Sequence, residues 1–406
     1  MVVVIKIRIF VFLSTLIIVG LIGTFVSFYA RGYKFDFKNL RFQPNGILVI
    51  KSEPDGASVF VNSNLKTATN ATISLPPGTY DIEVKKEGYL SWYKRVVIEK
   101  EIVTQAAISL FKTVPSLSPE TLDGADSPTM SPDGTKIAYI VPAGKDIDAA
   151  KTGLWTVDTY SLPLGFSNSP KRVTDGDLTE ATYLFSPDGR QIMLTISNSV
   201  FLLDSGSFTG QDQRINIASK KEAVLAQWQR EKQTKDSSLT RGLPQILSDI
   251  LNLKSHAFVF SPDENMILYT ASASASLPDN LIKQLPGAST QKQERNIGEN
   301  RTYVYDIKED RNFLITNQEV TINNQPSIVN GSQGGALRWL STSRHLLLAG
   351  PNQVAIMDYD GTNRQVVYSG SYSAPFAFPF TNTTKLLILT NLGASSTPNL
   401  YTLTVK

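Results

Sequence analysis

Cysteine is absent from all 406 residues. That excludes disulfides, a thiol nucleophile and any thiolate metal site. It does not fix a compartment, because either side of a membrane tolerates a chain without thiols. Histidine is nearly absent: His256 and His345 are the only two. Neither has a second histidine or an acidic partner at metal-ligand spacing. There is no Gly-x-Ser-x-Gly elbow, no phosphate-cradling Gly-rich loop before Lys-Ser/Thr, and no dinucleotide fingerprint. A large excess of one charge is missing too. Lys and Arg number 39 against 36 Asp and Glu, a net of +3, and the basic residues are dispersed. A nucleic-acid partner is therefore not expected. The acids are scattered, and no pair stands out for acid–base catalysis. No catalytic, metal or cofactor residue can be named from these patterns.

Charge is missing altogether from one segment. Ile9–Tyr29 runs without a single ionisable side chain except the terminal phenol, and most of it is Ile, Leu, Val and Phe. As a helix it would rise about 30 Å, the thickness of a hydrocarbon core. The stretch exceeds the 7–15 residues of a signal-peptide core, and Phe28-Tyr29-Ala30 is a poor cleavage site. An uncleaved signal anchor over residues 1–30 is expected, with the membrane as the first partner. Gly20, Thr24, Gly23 and Ser27 place small residues at four-residue spacing, a pattern used in helix pairing. Lys6 and Arg8 precede the span, and Arg31, Lys34, Lys38 and Arg41 follow it. By the positive-inside rule this balance favours a cytoplasmic C-terminal side.

Residues 31–45 alternate aromatic and charged side chains and read as a juxtamembrane linker. Tyr29 and Tyr33 suit a headgroup belt, and Lys34 and Lys38 could meet anionic lipid. From Gly46 to Lys112 the pattern is a compact β unit. Ile47 and Val49, then Val59 and Val61, then Tyr80, Ile82 and Val84, alternate with period two. Pro54-Asp55-Gly56-Ala57 and Leu75-Pro76-Pro77-Gly78 are turns. Pro54, Gly56, Ala57, Val59, Val61, Thr69, Leu75, Pro77, Gly78, Tyr80, Val84, Lys86, Gly88 and Tyr89 resemble the PEGA domain, a small β-sandwich of prokaryotic surface proteins. Asp55 stands where that family has its namesake Glu. The resemblance implies a surface module with no catalytic residues of its own, and it favours extracytoplasmic C-terminal domains, against the charge count.

Beyond Pro115 the chain repeats. Ser131-Pro132-Asp133-Gly134, Phe185-Ser186-Pro187-Asp188-Gly189 and Phe260-Ser261-Pro262-Asp263 each precede an apolar run. Trp339-Leu340-Ser341 and Phe378-Pro379-Phe380 do the same in looser form. Each unit reads as a strand, a tight turn, a fully buried strand and a third strand. Repeated four-stranded units are the mark of a β-propeller. These copies resemble the TolB-type, WD40-like propeller family. Five blades are recognisable over 115–406, and the irregular stretches leave room for a sixth. The last blade ends after its third strand. Pro119–Gly124 resembles Lys171–Gly176, so an early outer strand is expected to close the ring.

Residues 219–254 lack strand alternation and read as a helical pair inserted in the third blade. Val224, Leu225 and Trp228 share one face; Ile246, Leu247, Ile250 and Leu251 form a second stripe. Such stripes pack on the propeller itself or meet a partner, and Trp228, Leu247 and Leu251 are the candidate partner-binding residues. Residues 271–299 read as a polar loop. Asp358–Asn363 has the look of a calcium loop but lacks its later ligands, and reads as a turn. Asn70, Asn330 and Asn382 head glycosylation-type triplets that a prokaryotic-looking chain would carry by chance.

The expected class is all-β: an N-terminal transmembrane helix, a PEGA-like sandwich, then a propeller. The expected role is a non-catalytic envelope protein whose propeller contacts a protein or a surface glycan, with no cofactor. A propeller-based glycan lyase or hydrolase and a cytoplasm-facing sensor are the alternatives.

Overall fold

The computed structural model describes residues 2–30, 33–36, 41–144, 148–160, 169–283, 290–318, 320–322, 335–382, 384–392 and 397–406. Arg31, Phe37, Lys38, the Asn330–Ser332 triplet and Thr383 lie outside the described residues. The protein is mainly β, with one long apolar helix at the start.

That helix, α1, spans Val2–Ala30. Its window Phe10–Ala30 has a mean hydropathy of 2.3, and none of it is buried by the rest of the chain. Phe10, Phe12 and Leu21 are all more than 60% exposed. In water such a surface would be strongly unfavourable. Thr15 and Thr24 satisfy their hydroxyls on the helix's own carbonyls, at Val11 and Gly20. Lys34–Asp36 and Arg41–Gln43 then pair as a short antiparallel ribbon.

The chain divides into two units. In the first, Gly46–Glu53 lies between Ala71–Leu75, antiparallel to it, and Val103–Ser109, parallel to it. A second sheet has the order Asn64–Ala68, Ser58–Val61, Gly78–Lys85, Trp92–Ile98. Val59, Val61, Ile82 and Val84 are buried, as their period-two alternation predicts. In Gly46–Glu53 the phase is the opposite of the one expected: Leu48 and Ile50 are buried, while Ile47 and Val49 are only partly so, because the strand turns its other face to the core.

Among the described residues the second unit holds five antiparallel sheets of three or four strands, besides one two-stranded pair. The first comprises Asp126–Met130, Lys136–Val141, Gly153–Asp158 and Lys171–Asp175; the second Thr182–Phe185, Gln191–Ile196 and Ser199–Asp204. The third comprises Ser255–Phe260, Met266–Ala271, Thr302–Asp306 and Arg311–Thr316; the fourth Ala336–Trp339, His345–Ala349, Gln353–Asp358 and Gln365–Ser369. The fifth has Ala377–Pro379, Lys385–Thr390 and Asn399–Thr404, and its outer strand is Ser116–Pro119. The strand thus lies just before the Pro119–Gly124 segment expected to supply it, of which only Pro119 is paired in the sheet. The sheets pack face to face through apolar cores. Phe378, Leu387 and Leu389 of the fifth meet Ile137 and Tyr139 of the first. Ala138 and Leu154 of the first meet Phe185 and Leu194 of the second. Leu268 and Val304 of the third meet Leu337 and Leu346 of the fourth, and Leu347 and Ile356 of the fourth meet Ile388 and Leu403 of the fifth. This is a β-propeller.

One junction is built differently. The second sheet has three strands, and after Asp204 the chain makes only an isolated bridge back to it, Phe201 with Asn216. Two helices follow, α2 (Lys221–Thr240) and α3 (Gln245–Leu253). α2 covers the exposed flank of the second sheet, and α3 covers that of the third.

Candidate functional site

The recurring Ser-Pro-Asp turns are the most regular polar feature of the propeller. In the first copy Ser131 Oγ donates to Asp133 Oδ1 at 2.5 Å and accepts from the Lys136 amide at 3.0 Å. In the second, Ser186 and Asp188 repeat the pair at 2.6 Å, with the Gln191 amide on Ser186 Oγ at 2.9 Å. In the third, Ser261 and Asp263 do so at 2.7 Å, with the Met266 amide at 3.0 Å. The fourth residue sits at positive φ each time: Gly134, Gly189 and, at +58°, Glu264. The Asp carboxylates are thus committed to turn donors. The hydroxyl of Ser186 holds Asp188 below the usual carboxylate range.

The helical segment uses its stripes internally. Trp228 is 7% exposed and packs with Met193 and Val200. Leu247 and Leu251, at 0% and 1%, pack with Ile267, Tyr269 and Tyr303. The three candidate partner-binding residues therefore bind the chain's own sheets, because the flanks of the second and third sheets would otherwise be bare. What α2 shows to solvent is polar. Gln227 bonds Glu231 at 2.9 Å and Lys232 pairs with Asp236 at 2.6 Å, each one turn apart. An open cleft of about 810 Å³ runs between Arg230, Thr234 and Lys235 of this face and Glu264.

The residues 271–299 hold more structure than a polar loop. Ala275–Ser276 pairs with Asn296–Ile297, and Leu277 and Ile297 are buried beside α3. Arg295 fastens the segment: its Nη2 lies 2.9 Å from Oδ2 of Asp310, whose Oδ1 accepts the Tyr305 hydroxyl at 2.6 Å. Long-range pairs of this kind leave no local signal, and sequence reasoning missed both partners.

The two histidines part company. His256 is exposed, with Nε2 3.3 Å from Asn300 Oδ1. His345 is buried at 3% exposure. Its Nδ1 meets Thr342 Oγ1 at 2.9 Å, its Nε2 lies 3.6 Å from Asp358, and Phe111 stands edge-on at 5.6 Å. In the Asp358–Asn363 segment, Asp360 Oδ1 accepts from the Thr362 hydroxyl at 2.6 Å, and Asp358 Oδ2 accepts from Asn363 Nδ2 at 2.9 Å. Gly361 turns the chain at φ +80°. These oxygens take protein donors in a turn. No group of three or more His, Asp or Glu side chains suited to a metal occurs among the described residues.

Arg338 has no precedent in the sequence reading. It sits on the first strand of the fourth sheet and is the only Lys or Arg among the buried described residues, at 8% exposure. Nη1 donates to the Ala377 and Pro375 carbonyls at 3.1 and 3.4 Å. The guanidinium carbon lies 4.7 Å from the centre of the Phe378 ring. Nε is buried without an acceptor. Burial pushes the group down to about 10, so it stays charged at neutral pH.

Residues 45–113 match the family model described as "PEGA domain", which places the first unit's two sheets in that family. No curated protein matches the chain. Among solved structures it is similar to a putative TolB from Agrobacterium tumefaciens, at 14% identity over 68% of this chain and 73% of that one, with a TM-score of 0.22. TolB from Acinetobacter baumannii shares 13% over 80% of this chain and 60% of that one, with a TM-score of 0.19. The β-propeller domain of the Trilobed protease from Pyrococcus furiosus shares 11% over 89% and 97%, with a TM-score of 0.20. The propeller is defined by its sheets and the apolar cores between them.

Proposed function

We propose that this chain is a membrane-tethered binding protein of the cell envelope. α1 crosses the membrane, the PEGA domain acts as a stalk, and the propeller contacts a protein or a surface glycan on the extracytoplasmic side without turning it over. The observation that carries the reading is α1, of whose apolar window no residue is buried. A helix in that state is at home in lipid. A tether makes sense for a molecule that must act at a surface, and a rigid ring of sheets presents several loops together. The turn carboxylates and the Arg295–Asp310 pair are occupied in holding the fold, which supports contact over catalysis.

Protease treatment of intact cells tests the topology. Loss of the propeller while α1 is retained supports the reading; full protection of the propeller overturns the extracytoplasmic side and favours the cytoplasm-facing alternative. Proximity labelling from the C-terminus then identifies the neighbour. Turnover of a glycan by the purified chain would overturn the non-catalytic role.

A further inference from the structure

Among the described residues, Arg338 is a buried cation without a counter-ion. Elsewhere in the same unit a partly buried guanidinium is matched: Arg295 faces Asp310 at 2.9 Å. Around Arg338 the partners are two backbone carbonyls and one aromatic face. They offset part of the cost of burying the charge, but supply no negative charge. Keeping an uncompensated cation in a propeller interior is expensive unless something else uses it. Its position gives that use. Ala336–Trp339 and Ala377–Pro379 are the first strands of the fourth and fifth sheets, and the first strands of a propeller line its central channel. Both backbone contacts fall on Nη1, so the edge of the fork that carries Nε is the unused one. A side-on edge of a guanidinium matches the two oxygens of a carboxylate.

We propose that Arg338 is the recognition point for a carboxylate-bearing ligand at the inner strands of the propeller. This rests on the binding role above and names the chemistry of what is bound. The carboxylate accepts from Nε and the adjacent amino group, while Phe378 and the Ala377 carbonyl keep the fork in place. Side-chain carboxylates of a peptide and uronate groups of a glycan share this chemistry.

Two arms test it on the purified full-length chain in detergent micelles. In the first, Arg338 is labelled with phenylglyoxal and the adduct is read by peptide mass spectrometry, with acetate, inorganic phosphate or chloride present at equal ionic strength. Acetate should slow labelling saturably, by about threefold at twice its dissociation constant, since protection scales as 1 + [L]/Kd. No adduct at Arg338, or equal rates in acetate and chloride, overturns the proposal. Protection by phosphate as strong as that by acetate overturns the carboxylate assignment. In the second arm acetate should raise the thermal midpoint of the wild type, raise that of Arg338→Lys less, and leave Arg338→Gln unmoved. An equal rise in Arg338→Gln overturns the proposal. If neither variant folds, the labelling arm on the unaltered chain decides alone. A propeller protected in the cell-surface experiment would sink the topology and leave these outcomes untouched. An acidic peptide and an oligogalacturonide, used as competitors of acetate, separate the two sources.

Discussion

At the scale of single residues, buried charge separates what must be paired from what is better neutral. Asp310 is fully enclosed and takes Arg295 and the Tyr305 hydroxyl together. Arg295→Ala should cost about 3–5 kcal/mol in chemical denaturation, because it strands a buried carboxylate. Asp306 is the opposite case. Burial raises its carboxyl above the usual range, although the amides of Lys308 and Glu309 donate to it at 2.9 Å each. With the folded value above the unfolded one, the native state holds the proton more tightly. Stability therefore falls as pH rises from the unfolded value through the folded one, and the deficit persists above it. Asp306→Asn keeps an oxygen for both amides and removes the titration. Its thermal midpoint should exceed that of the wild type at pH 7 and converge with it in acid.

At the scale of elements, the helical pair shows how local pattern and tertiary demand meet. The stripe Ile246, Leu247, Ile250, Leu251 was legible because apolar residues recur at helical spacing within nine residues, although Ile246 at its edge stays exposed. What the stripe would touch was not legible, since both a partner groove and a bare sheet flank reward the same pattern. The structure uses it to cover the third sheet. Leu247→Ala should cost about 2–5 kcal/mol, the range for emptying a fully buried Leu site. Trp228→Ala should loosen α2 from the second sheet, read as faster tryptic cleavage at Lys232 and Lys235 with the rest of the propeller unchanged. The polar stretch 271–299 was less legible. Its short paired segments and buried Leu277 and Ile297 depend on α3 and on Asp310, which are remote in sequence.

At the scale of the whole propeller, the start and the end of its segment of chain are tied by one strand. Ser116–Pro119 pairs with Tyr401–Thr404, and Thr121 continues the link. Its hydroxyl donates to Asn399 Oδ1 at 3.0 Å and accepts from the Leu400 amide at 2.9 Å. Thr121→Val leaves that buried amide without its acceptor and should cost about 1–3 kcal/mol, with unfolding by two optical probes still coincident. Deleting 116–121 removes the outer strand itself, and the two probes should then separate as the fifth sheet opens first.

The amino-acid order alone determined the apolar helix, the PEGA strands, the repeated strand–turn–strand units and the need for an early outer strand, though not that Ser116–Pro119 supplies it. Each is written in short-range periodicity, in turn residues with one permitted backbone shape, or in a recurring segment. Only the tertiary structure decided that α2 and α3 cover two sheet flanks, that Arg295 finds Asp310, and that Arg338 lies enclosed against Phe378 with no acid beside it among the described residues. Those outcomes depend on which surfaces meet across long stretches of chain, where burial and charge pairing are properties of the assembled fold and of no local pattern.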